Sequence, residues 1–224
     1  MMSSKDNESK KVQRTCILCG KPFEVEEWEL SYRNPEAHED CEPVVRRYKS
    51  VGIDQRFWML PEFHVESGNK KAWEAVNEFI KEPGKTGLFL FGSAGTGKTH
   101  LAVKAAQETK LDTKFIKMPK LLLQLRANFD GKGYENEQII ERLSKQELLV
   151  IDDLGAEKAS DWVAETIYLL IDERYGRMLP TIITSNFSLS DLAGRVGDRV
   201  ASRITEMCRV IEINTSDKRK GVKK

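Results

Sequence analysis

The segment Gly92-Ser93-Ala94-Gly95-Thr96-Gly97-Lys98-Thr99 has the spacing G-x-x-x-x-G-K-[ST] and lies between the apolar run Leu88–Phe91 and an amphipathic stretch. A phosphate-binding loop belongs in that setting. Its glycines permit a tight turn whose backbone N–H groups, with those opening the next helix, face a chain of phosphates. On this reading Gly92, Gly95, Thr96 and Gly97 form the cradle, Lys98 reaches the terminal phosphates of ATP, and the Thr99 hydroxyl ligates Mg²⁺. Further on, Leu148-Leu149-Val150-Ile151-Asp152-Asp153 ends an apolar run in two carboxylates. That is a Walker B arrangement at the end of a buried strand, where open α/β sheets bind ligands. Asp152 is expected to hold magnesium through water and Asp153 to orient or polarise the water attacking the γ-phosphate. The plainer alternative is a pair of acids capping the turn before Leu154-Gly155. Thr184-Ser185-Asn186 brings an amide within reach of the γ-phosphate or the water, although Asn186 alone reads first as a turn residue. Arg199 and Arg203 are four apart, share a helix face and repel one another. A nearby anion would relieve that repulsion, and Asp198 and Glu206 are internal candidates for it.

A second constellation stands near the N-terminus: Cys16-x₂-Cys19-Gly20 and His38-x₂-Cys41. Two paired spacings of borderline-soft ligands suit a zinc ion of the treble-clef or ribbon kind, with Cys16, Cys19, His38 and Cys41 as its ligands. Asn34-Pro35 suggests that the second pair sits in the first turn of a helix. Reduced thiols beside an incidental histidine are the alternative. Residues 22–42 contain eight acids and one base, Arg33, a surface that repels phosphate backbones. The module therefore reads as a protein-docking element rather than a DNA-reading finger.

Alternating patterns must position these groups. Ala72, Trp73, Val76, Phe79 and Ile80 mark a helix that Pro83-Gly84 stops. Strands are expected over 87–91, 113–117, 148–151, 181–184 and 209–213. Helices are expected over 98–109, around 119–129 and 135–145, over 161–175 with Ser160 as N-cap and Gly176 as stop, and across most of 189–207. Strands interleaved with helices imply an α/β fold whose parallel sheet is covered on both faces.

Composition narrows the function classes. The 224 residues carry 36 Lys and Arg against 35 Asp and Glu, so overall charge does not draw the chain to polyanions. Apolar runs such as Leu88–Phe91, Leu148–Ile151 and Tyr168–Ile171 fall far below the roughly 20 residues of a membrane helix. The start MMSSKDNESKK lacks a signal-peptide core, and a reducing cytoplasm is expected. The phosphate loop and acidic strand resemble those of initiator-type AAA+ proteins, a similarity that implies single-stranded DNA contacts in the two-helix stretch after the second strand. There the sequence offers Lys117, Lys120, Arg126 and Lys132, with Phe129 and Tyr134 as the nearby aromatics.

Together the blocks GSAGTGKTHLA, LLVIDDLG, DWVAETIYLLIDERY, TSN and GDRVASR, with the lead-in GIDQRF, resemble the AAA+ ATPases of the DnaC-type helicase-loader family over roughly residues 50–213. IstB-type transposition ATPases share most of these blocks. The resemblance implies a P-loop NTPase with a five-stranded parallel sheet of order 5-1-4-3-2. It also makes Asn186 sensor 1, Arg203 an arginine finger acting on a neighbour's nucleotide, and Arg199 its helper. Two departures stand out. Asp153 replaces the glutamate of many AAA+ enzymes, and the chain ends soon after the fifth strand, so a lidless domain with weak nucleotide retention is expected.

The resulting map has a disordered arm over 1–14, a zinc-binding docking module over 15–50, a lead-in over 51–68, the ATPase domain over 69–214 and a basic tail over 215–224. The expected function is ATP-dependent loading of a replicative helicase, with single-stranded DNA binding and self-association through Arg203. A transposition regulator acting on duplex DNA is the first alternative. A small-molecule kinase and a nucleotide-sensing adaptor with negligible turnover are the others.

Overall fold

The computed structural model describes residues 10–127 and 133–217. Lys132, Phe129 and the basic residues from Lys218 onward lie outside them. The chain divides into two compact units: one runs to Ser50 and includes Asp54–Met59, and the other combines Val51–Ile53 with the chain from Leu60 onward.

In the first unit, strands β1 (Lys11–Thr15) and β2 (Pro22–Glu26) pair antiparallel, with Val12 opposite Val25. This corrects the expected arm over 1–14, because Lys11–Arg14 belong to a strand. KVQRT has one apolar residue and so no visible period, yet pairing with β2 satisfies its backbone, and Val25 supplies the buried side chain. Helices α1 (Glu27–Tyr32) and α2 (Glu42–Val51) follow, and α1 opens on a capping box between Glu26 and Glu29.

The second unit is a doubly wound sheet. Its elements are α3 (Lys70–Lys81), β3 (Gly87–Phe91), α4 (Lys98–Glu108), β4 (Thr113–Lys117), α5 (Met118–Ala127), α6 (Gly133–Lys145), β5 (Leu148–Leu154), α7 (Asp161–Gly176), β6 (Thr181–Ser185), α8 (Leu189–Val196), α9 (Asp198–Met207) and β7 (Cys208–Glu212). The strands lie in the order β4-β5-β6-β3-β7, and every pair is parallel. Counted within the sheet, this is the expected order 5-1-4-3-2. Phe89, Leu90, Leu148–Ile151, Ile182 and Ile183 are fully buried. Burying each such aliphatic side chain contributes about 1.5–3 kcal/mol, which is why these runs need no polar alternation.

Local differences have local causes. The helical stretch expected across most of 189–207 is divided in two, because Gly197 at φ 96° turns the chain between α8 and α9. Helix α7 begins at the expected Ser160 cap, whose hydroxyl accepts from Val163 N–H at 3.3 Å. It continues through Gly176, and Met178 takes the left-handed conformation beyond it at φ 53°. The lead-in over 51–68 is no plain linker, since Val51, Ile53 and Phe63 are buried and Phe63 stacks on Trp73 at 5.2 Å between ring centroids. Among the described residues, no helix is long and apolar enough to cross a membrane.

Candidate nucleotide-binding and metal-binding sites

Strand β3 delivers the glycine-rich loop, and α4 begins at Lys98 directly after Gly97. Gly97 holds φ 96°, and a Cβ there would stand 2.9 Å from the Phe63 ring. Only glycine fits that turn. Lys98 is 5% exposed, whereas an exposed loop lysine would be the simple expectation. Its Nζ donates to the carbonyls of Gly92 at 2.8 Å and Ser93 at 2.7 Å, so the cation is held inside the loop it serves. Thr96 Oγ1 donates to Ser93 O at 2.9 Å and tightens the same turn. The chain after β7 crosses nearby: Ile213 N–H donates to Phe91 O at 2.7 Å, and the Asp217 carboxylate packs against Gly95.

The paired aspartates sit at a bulge. Ile151 pairs with Ile183 and Leu154 with Ser185, so β5 spends one residue more than β6 over this span. Asp153 absorbs the extra residue at φ 59°, a left-handed conformation costing about 1 kcal/mol for a residue with a Cβ. Its N–H donates to Thr184 Oγ1 at 3.0 Å. Thr184 Oγ1 in turn donates to Asp152 Oδ1 at 2.7 Å, and Thr99 Oγ1 donates to the same oxygen at 2.8 Å. Asp152 Oδ2 is buried with no hydrogen-bond partner among the described residues. Burial pushes the Asp152 carboxyl above the usual carboxylate range, against the pull of the two hydroxyls. A buried, half-satisfied carboxylate beside the Thr99 hydroxyl is a donor set that fits a magnesium ion. Thr184 was not singled out from sequence. Its place at the end of a buried strand, just before Asn186, is the signal that could have found it.

Asn186 is exposed at the end of β6, and the next residue, Phe187, carries the guanidinium of Arg195 4.4 Å from its ring centroid. Arg199 is exposed on α9. Arg203 Nε donates to Asp172 Oδ1 at 3.1 Å, and its guanidinium lies 4.2 Å over Tyr175. The internal anion for Arg203 is therefore Asp172 of α7. Glu206 is taken by the Tyr175 hydroxyl, which donates to it at 2.6 Å. The expected basic surface is also divided: Lys117 pairs in register with Asp152 at the carboxyl end of β4, while Arg126 lies 5.0 Å over Trp162.

The family described as IstB-like ATP binding protein matches residues 73–224. The chain belongs to this family. The replicative helicase loader DnaC of Escherichia coli (strain K12) is 29% identical over 142 residues, covering 61% of the IstB-like chain and 58% of that relative. The replicative helicase loader DnaI of Bacillus subtilis (strain 168) is 28% identical over 128 residues, 54% of this chain and 40% of the relative. The chain thus spans less than two thirds of these relatives' length. A crystal structure of the DnaC helicase loader matches with a TM-score of 0.64 and 34% identity over 72% of this chain and 100% of that one. The DnaC-type AAA+ fold read from the motifs is thereby shown.

In the IstB-like chain, the Cys/His module lies before the family match. The turn between β1 and β2 carries Cys16 and Cys19, with Gly20 at φ 73° and its N–H donating to Cys16 O at 2.9 Å. His38 and Cys41 occupy the turn that leads into α2. The four ligand atoms lie within 4.8 Å of one another. His38 Nδ1 stands 3.3 Å from Cys19 Sγ and 3.7 Å from Cys41 Sγ. Around tetrahedral zinc, bond lengths of about 2.3 Å to sulfur and 2.0–2.1 Å to nitrogen put such neighbours roughly 3.6 Å apart. His38 Nε2 lies 3.3 Å from Pro22 O, which sets the proton on Nε2 and leaves Nδ1 to ligate. Burial pushes the Cys16 thiol up, but the backbone N–H groups of Cys19, His38 and Leu18 outweigh it and hold it down at about 6. Burial and the thiols of Cys16 and Cys19 push Cys41 up to about 11. These residues fit zinc. Trp28, 61% exposed on α1 among the acids, was not singled out from sequence.

Proposed function

We propose that the chain is an ATP-hydrolysing loader of a replicative helicase, acting in the cytoplasm on single-stranded DNA during replication. Its likeness to DnaC over the ATPase unit carries the loader reading. For ATP, the support is membership of an ATP-binding family, together with the half-satisfied Asp152 beside Thr99. Bound magnesium supplies charge that neutralises the β- and γ-phosphates. Thr99 and Asp152 hold that ion, and Gly92, Gly95, Thr96 and Gly97 turn the backbone toward the phosphates. Lys98 exchanges its two carbonyl partners for phosphate oxygens. Asp153 orients the attacking water and accepts its proton, Asn186 steadies it, and Arg203, helped by Arg199, serves a neighbouring subunit's nucleotide. Cys16, Cys19, His38 and Cys41 hold zinc, and the acidic face of that module grips the helicase.

The test is capture on the immobilised chain from a lysate with and without ATP, paired with binding of single-stranded and duplex oligonucleotides. ATP-dependent retention of the replicative helicase and a preference for single strands support the reading. Retention of a transposase with a preference for duplex would instead favour a transposition regulator.

A further inference from the structure

The loop that follows the paired aspartates is held from outside by one cation. Arg195, on α8, donates from Nε to Gly155 O at 2.7 Å and from Nη2 to Glu157 O at 3.2 Å. Its guanidinium also covers Phe187, the residue after Asn186. Gly155 N–H donates to Glu157 Oε1 at 3.0 Å, which closes the loop on itself. Gly155 is packed against the same face: a Cβ there would meet Leu192 at 2.7 Å and Phe187 at 3.2 Å. On its other side Asp153 is tied to Thr184. An unfavourable backbone conformation persists only where its surroundings over-determine it, and here the restraints are Thr184 before the bulge and Arg195 after it.

We infer that Arg195 is a positioning residue for ATP hydrolysis, clamping the loop of Asp153 to the turn of Asn186 so that the two side chains stay aimed at one water. The inference rests on the roles given to Asp153 and Asn186 under the proposed function. Two carbonyls accept from two nitrogens of one planar fork, and lysine, with a single nitrogen, cannot reproduce that grip. Arg195 holds Gly155, Glu157 and Phe187, none of them in the phosphate loop, so its loss leaves nucleotide affinity alone and acts on the chemical step.

The experiment compares wild type, Arg195→Gln, Arg195→Lys, Asp153→Asn and the double variant Asp153→Asn/Arg195→Gln in the full chain. Steady-state turnover and the affinity for a fluorescent ATP analogue are measured on each, with Lys98→Ala as the inactive control. Both Arg195 variants should lower kcat by about 10- to 100-fold, the scale of a misplaced reacting group, with analogue affinity within about twofold of wild type. The double variant should be no slower than Asp153→Asn alone, because the clamp acts through Asp153. Wild-type kcat in Arg195→Gln, a parallel loss of affinity, or full additivity in the double variant overturns the proposal while Asp153→Asn turns over measurably but more slowly than wild type. If instead Asp153→Asn turns over normally, or wild type does not exceed Lys98→Ala, the hydrolysis reading itself has failed and the clamp falls with it.

Discussion

Asp152→Asn should affect the fold and the ligand in opposite directions. The carboxylate is 1% exposed, with two hydroxyls on Oδ1 and none on Oδ2. Its carboxyl is pushed up by burial, so the native state binds that proton more tightly than the unfolded chain does. The penalty is absent below the usual carboxylate value, grows as pH rises toward the native one, and is fully present above it. Asparagine keeps an Oδ1 for Thr99 and Thr184 and cannot ionise. Its amide would still lack a partner, so the net gain is the difference between a charged and a neutral orphan, about 1 kcal/mol. For a domain of this size that raises the melting midpoint by about 2–4 °C in EDTA at pH 7, and the gain should shrink as pH falls toward 4. With magnesium and ATP at 100 times the dissociation constant, wild type should gain about 2.7 kcal/mol, or roughly 5–11 °C, and the variant should lose the magnesium-dependent part. Thermal melts at two pH values with and without Mg²⁺-ATP measure both effects. A variant that melts below wild type in EDTA at pH 7, or that keeps the full magnesium-dependent rise, refutes the assignment of Asp152 as a buried metal-holding carboxylate.

Arg203→Ala should bind ATP yet hydrolyse it about 10³- to 10⁵-fold more slowly, and mixing it with Lys98→Ala should restore part of the activity by rebuilding one intact site between neighbours. Wild-type turnover in Arg203→Ala, or a dead mixture despite co-assembly, returns Arg203 to its ion pair with Asp172. Metal analysis of protein prepared without chelator should find one zinc per chain. Cys16→Ser or Cys41→Ser should abolish zinc and helicase capture while full-chain ATP binding persists; a zinc-free wild type would be decisive against the module. Lys98→Ala should abolish ATP binding or turnover and leave the circular dichroism spectrum intact, because the carbonyls of Gly92 and Ser93 released by its loss lie in a loop that water can reach.

The glycine-rich loop, the acidic strand end and the Cys/His cluster were legible because each motif is contiguous or closely paired, so its assembly needs only local backbone geometry. The central strands were legible for a related reason: a strand buried on both faces reads as a near-continuous apolar run, and Leu88–Leu90, Leu148–Ile151 and the Ile182-Ile183 pair show it. Strand order, and the roles proposed for Asn186, Arg199 and Arg203, came from family resemblance rather than from the residues themselves. Strand β1 was missed because its stability comes from a partner strand and not from its own side chains. Tertiary structure alone decided who faces whom. Thr184 meets Asp152 because β5 and β6 are neighbours in the sheet, although 32 residues separate the two side chains. The bulge that turns Asp153 into its left-handed conformation exists only in the pairing of those strands. Glu206 shares a helix face with Arg203, yet Asp172 holds it, because packing of α7 against α9 sets Asp172 beside the guanidinium and gives Glu206 to Tyr175. Sequence spacing settles which groups can meet within one element; which groups meet between elements is settled by sheet register and helix packing.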